Sequence, residues 1–353
     1  YIVETRAADH GEPDKDWHGQ LGWLRKVRHV RTQSIVEAAL PAGGGRYPVL
    51  VYNHGGGNPH FTATFHTEFL ASHGYVVVAV GHPGFNGVIR QPFPDGYTFI
   101  DHAQSPRGKS DAAFDASEKV ATANLSSRER FDRMFSDGST ARNVLDGVRD
   151  VSFVLDQLAR LDADPDSRFH KRLDLDHAGA MGWSMGGVVS LQASLDEPRI
   201  KAAINEDGWP YGLLGANGVV PKGSPRPVMV MNGVPAIAEA MRGPVDASLR
   251  EEYASADTHF WTMFARSRAD WYWLRIEGAD HGHFSDHPLF NRGNDTPGAI
   301  HPRLAHSIVN DYALAFFDKY LRGREAPLLS NGQAYRDASL MWKGEPRPPE
   351  EED

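Results

Sequence analysis

Residues 177–195 read HAGAMGWSMGGVVSLQASL. Residues 178–181 are apolar, and with His177 they are short enough for a buried strand, while the stretch from Met185 to Leu195 has the length and content of a helix. Between them stands Gly182-Trp183-Ser184-Met185-Gly186-Gly187, a G-x-S-x-G pattern placed where strand turns into helix. A serine on such a turn is held in a strained backbone with its hydroxyl exposed, and bulky neighbours would clash. The helix that follows points unsatisfied N–H groups back at the turn, where negative charge would develop in acyl transfer. Ser184 is therefore a candidate nucleophile, and the Met185 N–H a candidate oxyanion donor.

The same strand-then-helix grammar extends in both directions. Residues 49–52 and 75–80 are near-continuous apolar runs, as a parallel sheet covered on both faces requires. Residues 61–73 between them carry Phe61, Phe65, Phe69 and Leu70 at helical spacing, completing a βαβ unit. Val144, Val148, Val151, Leu155 and Leu158 form one helical stripe, and residues 307–321 form another with Val309, Tyr312, Ala313, Phe316, Phe317 and Tyr320 inward. Further strands are expected at 200–204, 227–231 and 271–276, with an early antiparallel strand at 30–38 before a triple glycine. The expected fold is α/β, a mostly parallel doubly wound sheet of about eight strands in one domain spanning residues 1–343. Residues 85–140 break the pattern and read as a lid-like insertion after the fourth strand. Residues 344–353, rich in proline and acid, read as a solvated tail.

A serine nucleophile needs a base, and the base needs a carboxylate to orient it. His281 and its rival His283 follow the 271–276 strand, where the base belongs in this kind of sheet. Position favours His281, which is surrounded by small residues. For the acid, Asp207 directly follows the 200–204 strand, whereas the nearest acids after 227–231 are Glu239 and Asp246, well into a loop. A carboxylate that orients an imidazole must itself be fixed, which favours Asp207. His54-Gly55-Gly56-Gly57 follows the 49–52 strand, where a second oxyanion donor would sit. The Gly56 N–H is the choice, with Gly55 its neighbour and rival. Trp183, Trp209, Phe85, Phe93, Tyr97 and Trp261 are expected around the pocket mouth with Gly55, contacting an apolar or aromatic part of a substrate.

At these residues the chain resembles the α/β-hydrolases, and within them the plasma (type II) platelet-activating-factor acetylhydrolase family and its bacterial relatives. The matching stretches are YPVLVYNHGGG, FLASHGYVVVAVGHPG, GWSMGG, INEDGW, IEGADHGHFSD and NDYALAFFDKYL. GWSMGG and HGGG are also similar to dienelactone hydrolases and cutinase-like polyester hydrolases. The resemblance implies a serine esterase whose acid is Asp207, whose base is His281 at the head of an H-x-x-F-[AS]-D run, and whose oxyanion donor is Gly56. It implies a short-chain or apolar ester as substrate, with an amide, a lactone or a polyester as alternatives. Trp183 departs from it, standing where that family usually has histidine.

Composition sets outer limits. The chain has 353 residues, 46 acidic against 37 basic, a formal charge of −9 and no cysteine. The acidic balance argues against a binder of the nucleic-acid phosphate backbone, which would need a basic face, and leaves a small-molecule or lipid-like ester as the partner. The missing thiols exclude disulfides, thiolate metal sites and cysteine nucleophiles. No apolar run approaches the roughly 20 residues of a membrane-spanning helix. No cofactor is implied, because side chains and backbone supply the chemistry. The candidate pairs His60 with His66, His281 with His283 and His82 with His102 do not define a helix face, and no H-E-x-x-H is present, which argues against a metallohydrolase. A non-catalytic descendant of the fold is the remaining alternative. With no methionine at Tyr1, a removed upstream segment and an exported enzyme are favoured over a cytoplasmic one.

Overall fold

The computed structural model describes residues 32–343 except 36, 44, 83–87, 94, 95, 102–105, 122, 127, 128, 130–132, 134, 135, 137, 138, 235–246, 291–298 and 331–333. Its centre is a sheet of seven strands: β1 (Tyr47–Asn53), β2 (Val76–Val80), β5 (Leu173–Trp183), β6 (Ile200–Glu206), β7 (Val228–Val234), β8 (Trp271–Glu277) and β9 (Ala338–Trp342). Their spatial order is β2-β1-β5-β6-β7-β8-β9. All neighbours pair in parallel except β8 with β9. The strands are apolar on both faces because both faces are covered. On one side Leu50, Tyr52, Met181, Ile204, Met229 and Leu274 pack beneath α1 (Thr64–Ser72) and α6 (Pro302–Arg322). On the other, Val49, Val51, Ala180, Ala203, Val228 and Val230 pack beneath α3 (Ser139–Ala163), α4 (Met185–Asp196) and α5 (Ala247–Arg266). The Val144–Leu158 stripe faces the sheet as its spacing requires.

Chain order reverses at β1: the chain steps out to β2, then returns to β5 on the other side. In open parallel sheets such a reversal leaves a crevice at the carboxyl ends of the two flanking strands, here β1 and β5. Register brings the strand ends level, with Asn53 beside Gly182, Trp183 beside Glu206, and Val234 beside Glu277. Every residue singled out as catalytic or as an oxyanion donor lies just past one of these ends.

The insertion after β2 holds an antiparallel hairpin, β3 (Val88–Phe93) with β4 (Gly96–Asp101), followed by α2 (Pro106–Ala121). It follows the second strand of the described chain, not the fourth, and the mostly parallel central sheet, expected to have about eight strands, has seven among the described residues. The expected strand at 30–38 is not formed by residues 32–35, 37 and 38. Its amides find another partner: those of Gln33 and Ser34 donate to the Glu68 carboxylate at 3.3 and 3.2 Å. The edge strand β9 was not foreseen, and it supplies the only antiparallel pairing among the described strands of this sheet. Helix α1 begins at Thr64, not at residue 61, because its N-terminus is capped from far away. Asp286 accepts from Thr64 N at 2.7 Å and Phe65 N at 3.2 Å. Phe85 and the 344–353 tail lie outside the described residues.

Candidate active site

Ser184 sits on the turn between β5 and α4 at φ 57° and ψ −125°. A side-chain-bearing residue in such a region costs about 1–3 kcal/mol and persists only where its surroundings fix it. Its N–H donates to Glu206 O at 2.8 Å, and its carbonyl accepts from Gly187 N and Val188 N at 3.0 and 3.3 Å. The tightness of this turn dictates its composition. A Cβ on Gly186 would lie 2.0 Å from Asn53 O, so no other residue fits there.

Asp207 closes β6, also at positive φ, 54°. Its Oδ2 faces His281 Nδ1 at 2.7 Å. Its Oδ1 accepts from Gly233 N at 3.1 Å and from Asn232 Nδ2 at 3.3 Å. The Asn232 amide is itself oriented, since Trp273 Nε1 donates to its Oδ1 at 2.8 Å. The β7 end, which has no acid of its own, thus furnishes the donors that aim the β6 acid. Sequence reading passed over Asn232 and Gly233 because nothing local ties them to residue 207. His281 opens a 3₁₀ turn, His281–Phe284, and its imidazole is about half exposed. With Nδ1 against the carboxylate, Nε2 is the nitrogen turned away from Asp207. His283 takes a different part: it is buried, pairs with Asp280 Oδ1 at 2.8 Å and completes the cap of its own turn.

The glycine loop after β1 is built around His54, which is fully buried. His82 N donates to His54 Nε2 at 3.2 Å, so Nε2 is the unprotonated nitrogen. Nδ1 then carries the proton, and it lies 2.7 Å from Gly55 O. Burial, with His82 nearby, holds the His54 pKa well below the ordinary histidine value, which keeps this neutral form. Asn58 N donates to the same carbonyl at 3.2 Å. The Gly55 C=O and the Gly56 N–H belong to one planar peptide and point in opposite directions. Fixing the carbonyl therefore fixes the Gly56 N–H. Gly56 and Met185 also face one another: a Cβ on Gly56 would lie 3.4 Å from Met185 Cε. The Met185 amide opens α4, one of the N–H groups a helix cannot satisfy internally.

Trp183 does not line an open cleft. It is 3% exposed, its Nε1 donates to His281 O at 2.8 Å, and its ring lies 5.0 Å from that of His281. Gly55 packs on it so closely that a Cβ there would meet Trp183 Cε3 at 2.9 Å. The indole is a brace between the elbow and the base, because the strand end carries it under the glycine loop. Trp209 is half-buried just beyond Asp207 and stacks on Tyr211. Trp261 is also not at the mouth; it packs edge-on against Trp271 and Trp273 in the core opposite α6. Phe93 and Tyr97 fall at the ends of the hairpin strands. A shallow cavity lined by Arg46, His73, Asp174, Lys319, Arg322 and Arg324 lies at the amino end of β1, the opposite edge from Ser184. Among the described residues no three His, Asp or Glu side chains converge as a metal site would need.

A serine elbow at the switch point, an acid–imidazole pair beside it and a glycine loop across from it are the parts of a serine hydrolase site. The family model described as "Platelet-activating factor acetylhydrolase, isoform II" matches residues 15–327. The chain belongs to this family. Its relatives include the platelet-activating factor acetylhydrolase of Canis lupus familiaris, 24% identical over 294 residues, covering 79% of this chain and 58% of that one. The corresponding protein of Cavia porcellus is 24% identical over 323 residues, covering 85% and 64%. This family member thus spans about three fifths of the length of the curated relatives it matches. Among solved structures, a ferulic acid esterase from Streptomyces cinnamoneus superposes with a TM-score of 0.62 at 24% identity, over 90% of this chain and 79% of that one. That likeness establishes the α/β-hydrolase fold. No helix among the described residues is long and apolar enough to cross a membrane.

Proposed function

We propose that this family member is a serine carboxylic-ester hydrolase that works through an acyl-enzyme. Ser184 Oγ attacks the ester carbonyl carbon while its proton passes to His281 Nε2. The carbonyl electron pair moves onto oxygen, which the N–H groups of Gly56 and Met185 hold. Collapse of this intermediate expels the alkoxide, which takes the proton back from His281. Water then repeats the sequence in reverse and frees the acid. Asp207 keeps the imidazole in the tautomer with its proton on Nδ1 and stabilises the imidazolium. The observation that carries the reading is the 2.7 Å contact of His281 Nδ1 with Asp207 beside a serine at positive φ.

The substrate we propose is a short-chain or apolar ester. Relatives named platelet-activating factor acetylhydrolase support it, as does the neighbour named ferulic acid esterase. The insertion at 85–140 is proposed as the cover of the acyl site and, with the family resemblance in mind, the enzyme as an exported one.

The test is hydrolysis of p-nitrophenyl esters of increasing acyl length beside a matching amide. Ser184→Ala is expected to lose at least ~10³-fold in kcat while remaining folded. Short acyl chains are expected to be preferred, the amide to be slow, and a fluorophosphonate to label Ser184. A folded Ser184→Ala protein with wild-type turnover would sink the proposal, and absence of labelling would point to a non-catalytic member of the fold.

A further inference from the structure

The site rests on a buried charge cluster that the proposed mechanism does not use. Glu206, the last residue of β6, is fully buried, and so is His66 on α1, whose Nε2 lies 3.1 Å from Glu206 Oε1. His66 Nδ1 lies 2.6 Å from Asn310 Oδ1 on α6. Both ring nitrogens of His66 thus face oxygen, the arrangement of an imidazolium. Burial pulls the His66 pKa down, but Glu206 and the bond to Asn310 more than offset this and leave it raised. The pair is close in distance but poorly aligned. Among the described residues neither Glu206 oxygen has a well-aligned hydrogen-bond partner. Around the pair stand Tyr52 on β1, Asp286 after the 3₁₀ turn, and Asn310 on α6.

Such an arrangement is costly. A buried ion pair seldom stabilises a fold more than apolar residues of the same shape would, and orphaned polar atoms in a core are rare. Its location suggests what the cost supports. The peptide joining Glu206 to Asp207 is clamped from both sides: Glu206 O accepts from Ser184 N at 2.8 Å, and Asp207 N donates to Met231 O at 2.7 Å. One rigid amide therefore sets both the nucleophile turn and the departure of the acid, which leaves β6 at positive φ. The Glu206 side chain is the third anchor of that amide. It ties the amide through His66 to α1 and through Asn310 to α6.

We propose that Glu206 and His66 are positioning residues that hold the Glu206–Asp207 peptide in register for catalysis. The pair draws the β6 end toward α1 and α6, so that the Ser184 turn and the Asp207 carboxylate keep their relative placement when charge moves through His281. This rests on the hydrolase reading above.

The experiment compares full-length wild type, Glu206→Gln, the double variant His66→Leu with Glu206→Leu, Asn310→Ala and Ser184→Ala in p-nitrophenyl acetate kinetics and thermal melting. Glu206→Gln is expected to lower Tm and to lower kcat at least tenfold with KM within twofold. The double variant is expected to regain Tm, because an apolar pair satisfies the core, yet to keep the low kcat. A double variant with restored Tm and wild-type kcat overturns the proposal, since the pair would then be only structural. Should that variant not fold, Asn310→Ala decides: it leaves both charges in place but releases His66 from α6. A kcat reduced at least threefold at unchanged KM supports the proposal, and an unchanged kcat overturns it. Ser184→Ala separates the two readings. If it retains turnover, the hydrolase reading itself has failed; if it is inactive while Glu206→Gln and Asn310→Ala keep wild-type kcat, only the positioning role has.

Discussion

At the scale of single residues, the site is a set of short tethers whose ends lie far apart in the chain. Trp183 is the clearest: adjacent to the nucleophile, it spends its one donor on the backbone of the base, 98 positions away. Trp183→Phe keeps the ring but drops that bond, which is worth about 0.5–1.5 kcal/mol. The expected result is a fall of about 2- to 10-fold in kcat/KM together with a lower Tm, since the smaller ring also leaves space in a buried site, read from steady-state kinetics and thermal melting. Asp207→Asn should cost far more, on the order of 10⁴-fold in kcat, because the amide no longer selects the right imidazole tautomer. Asn232→Leu removes one of the two donors on Asp207 Oδ1 and is expected to fall between these, with rescue by Asn232→Gln incomplete. Of these residues, Ser184 and the glycine loop were legible in the sequence because their chemistry is written in consecutive positions. His281 and Asp207 were legible through their place after strands. Asn232, Gly233, Glu206 and His66 were not, since their meaning lies only in who stands beside them once the sheet has formed.

At the scale of elements, the sheet was legible wherever burial on both faces made an unbroken apolar run, as at β1, β2 and β7. It was not legible at β9, whose ASLMW sequence is too short and mixed to stand out. Helix α5 escaped notice for a similar reason, since charged residues interrupt its apolar side through ASLREEYASADTHFWTMFAR. The start of α1 depends on a residue more than 200 positions away, because Asp286 caps it. Burial pushes the Asp286 pKa up to about 6, with its donors from Thr64 and Phe65 resisting that shift. The sign follows from proton binding. Between about pH 4 and 6 the folded chain holds a proton that the unfolded chain has released. This group's contribution therefore falls as pH rises through that window, by up to ~3 kcal/mol, and is flat above it. Asp286→Asn removes the slope. Relative to wild type, the variant is expected to show a larger gain in Tm between pH 4.5 and pH 7.5, whatever its absolute Tm, as scanning calorimetry would register.

At the scale of the whole molecule, histidine burial dominates the response to acid. His54, His60, His82, His287 and His306 all have lowered pKa values, with burial the first cause in each, and that of His306 comes down to about 4. On unfolding, each of these groups takes up a proton in the window between its lowered folded-state pKa and the ordinary histidine value. Stability therefore rises with pH up to about 6.5 and then levels off. Asp286, Asp257 and His66, all raised, oppose this with three groups against five. Net proton uptake on unfolding at pH 5.5 is expected, measured from the buffer dependence of the unfolding enthalpy. Net proton release would contradict the buried neutral histidines.

The antiparallel edge strand has a consequence for how the chain is made. Residues 338–342 are the last to reach the sheet, and until they arrive β8 presents a bare row of backbone donors and acceptors along Trp271–Glu277. A nascent chain at that stage would hold its catalytic parts already assembled but carry an open seam, to which a second ribosome's product could zip. Trimming this chain before residue 338 should therefore yield clumped material, not a well-folded shorter protein.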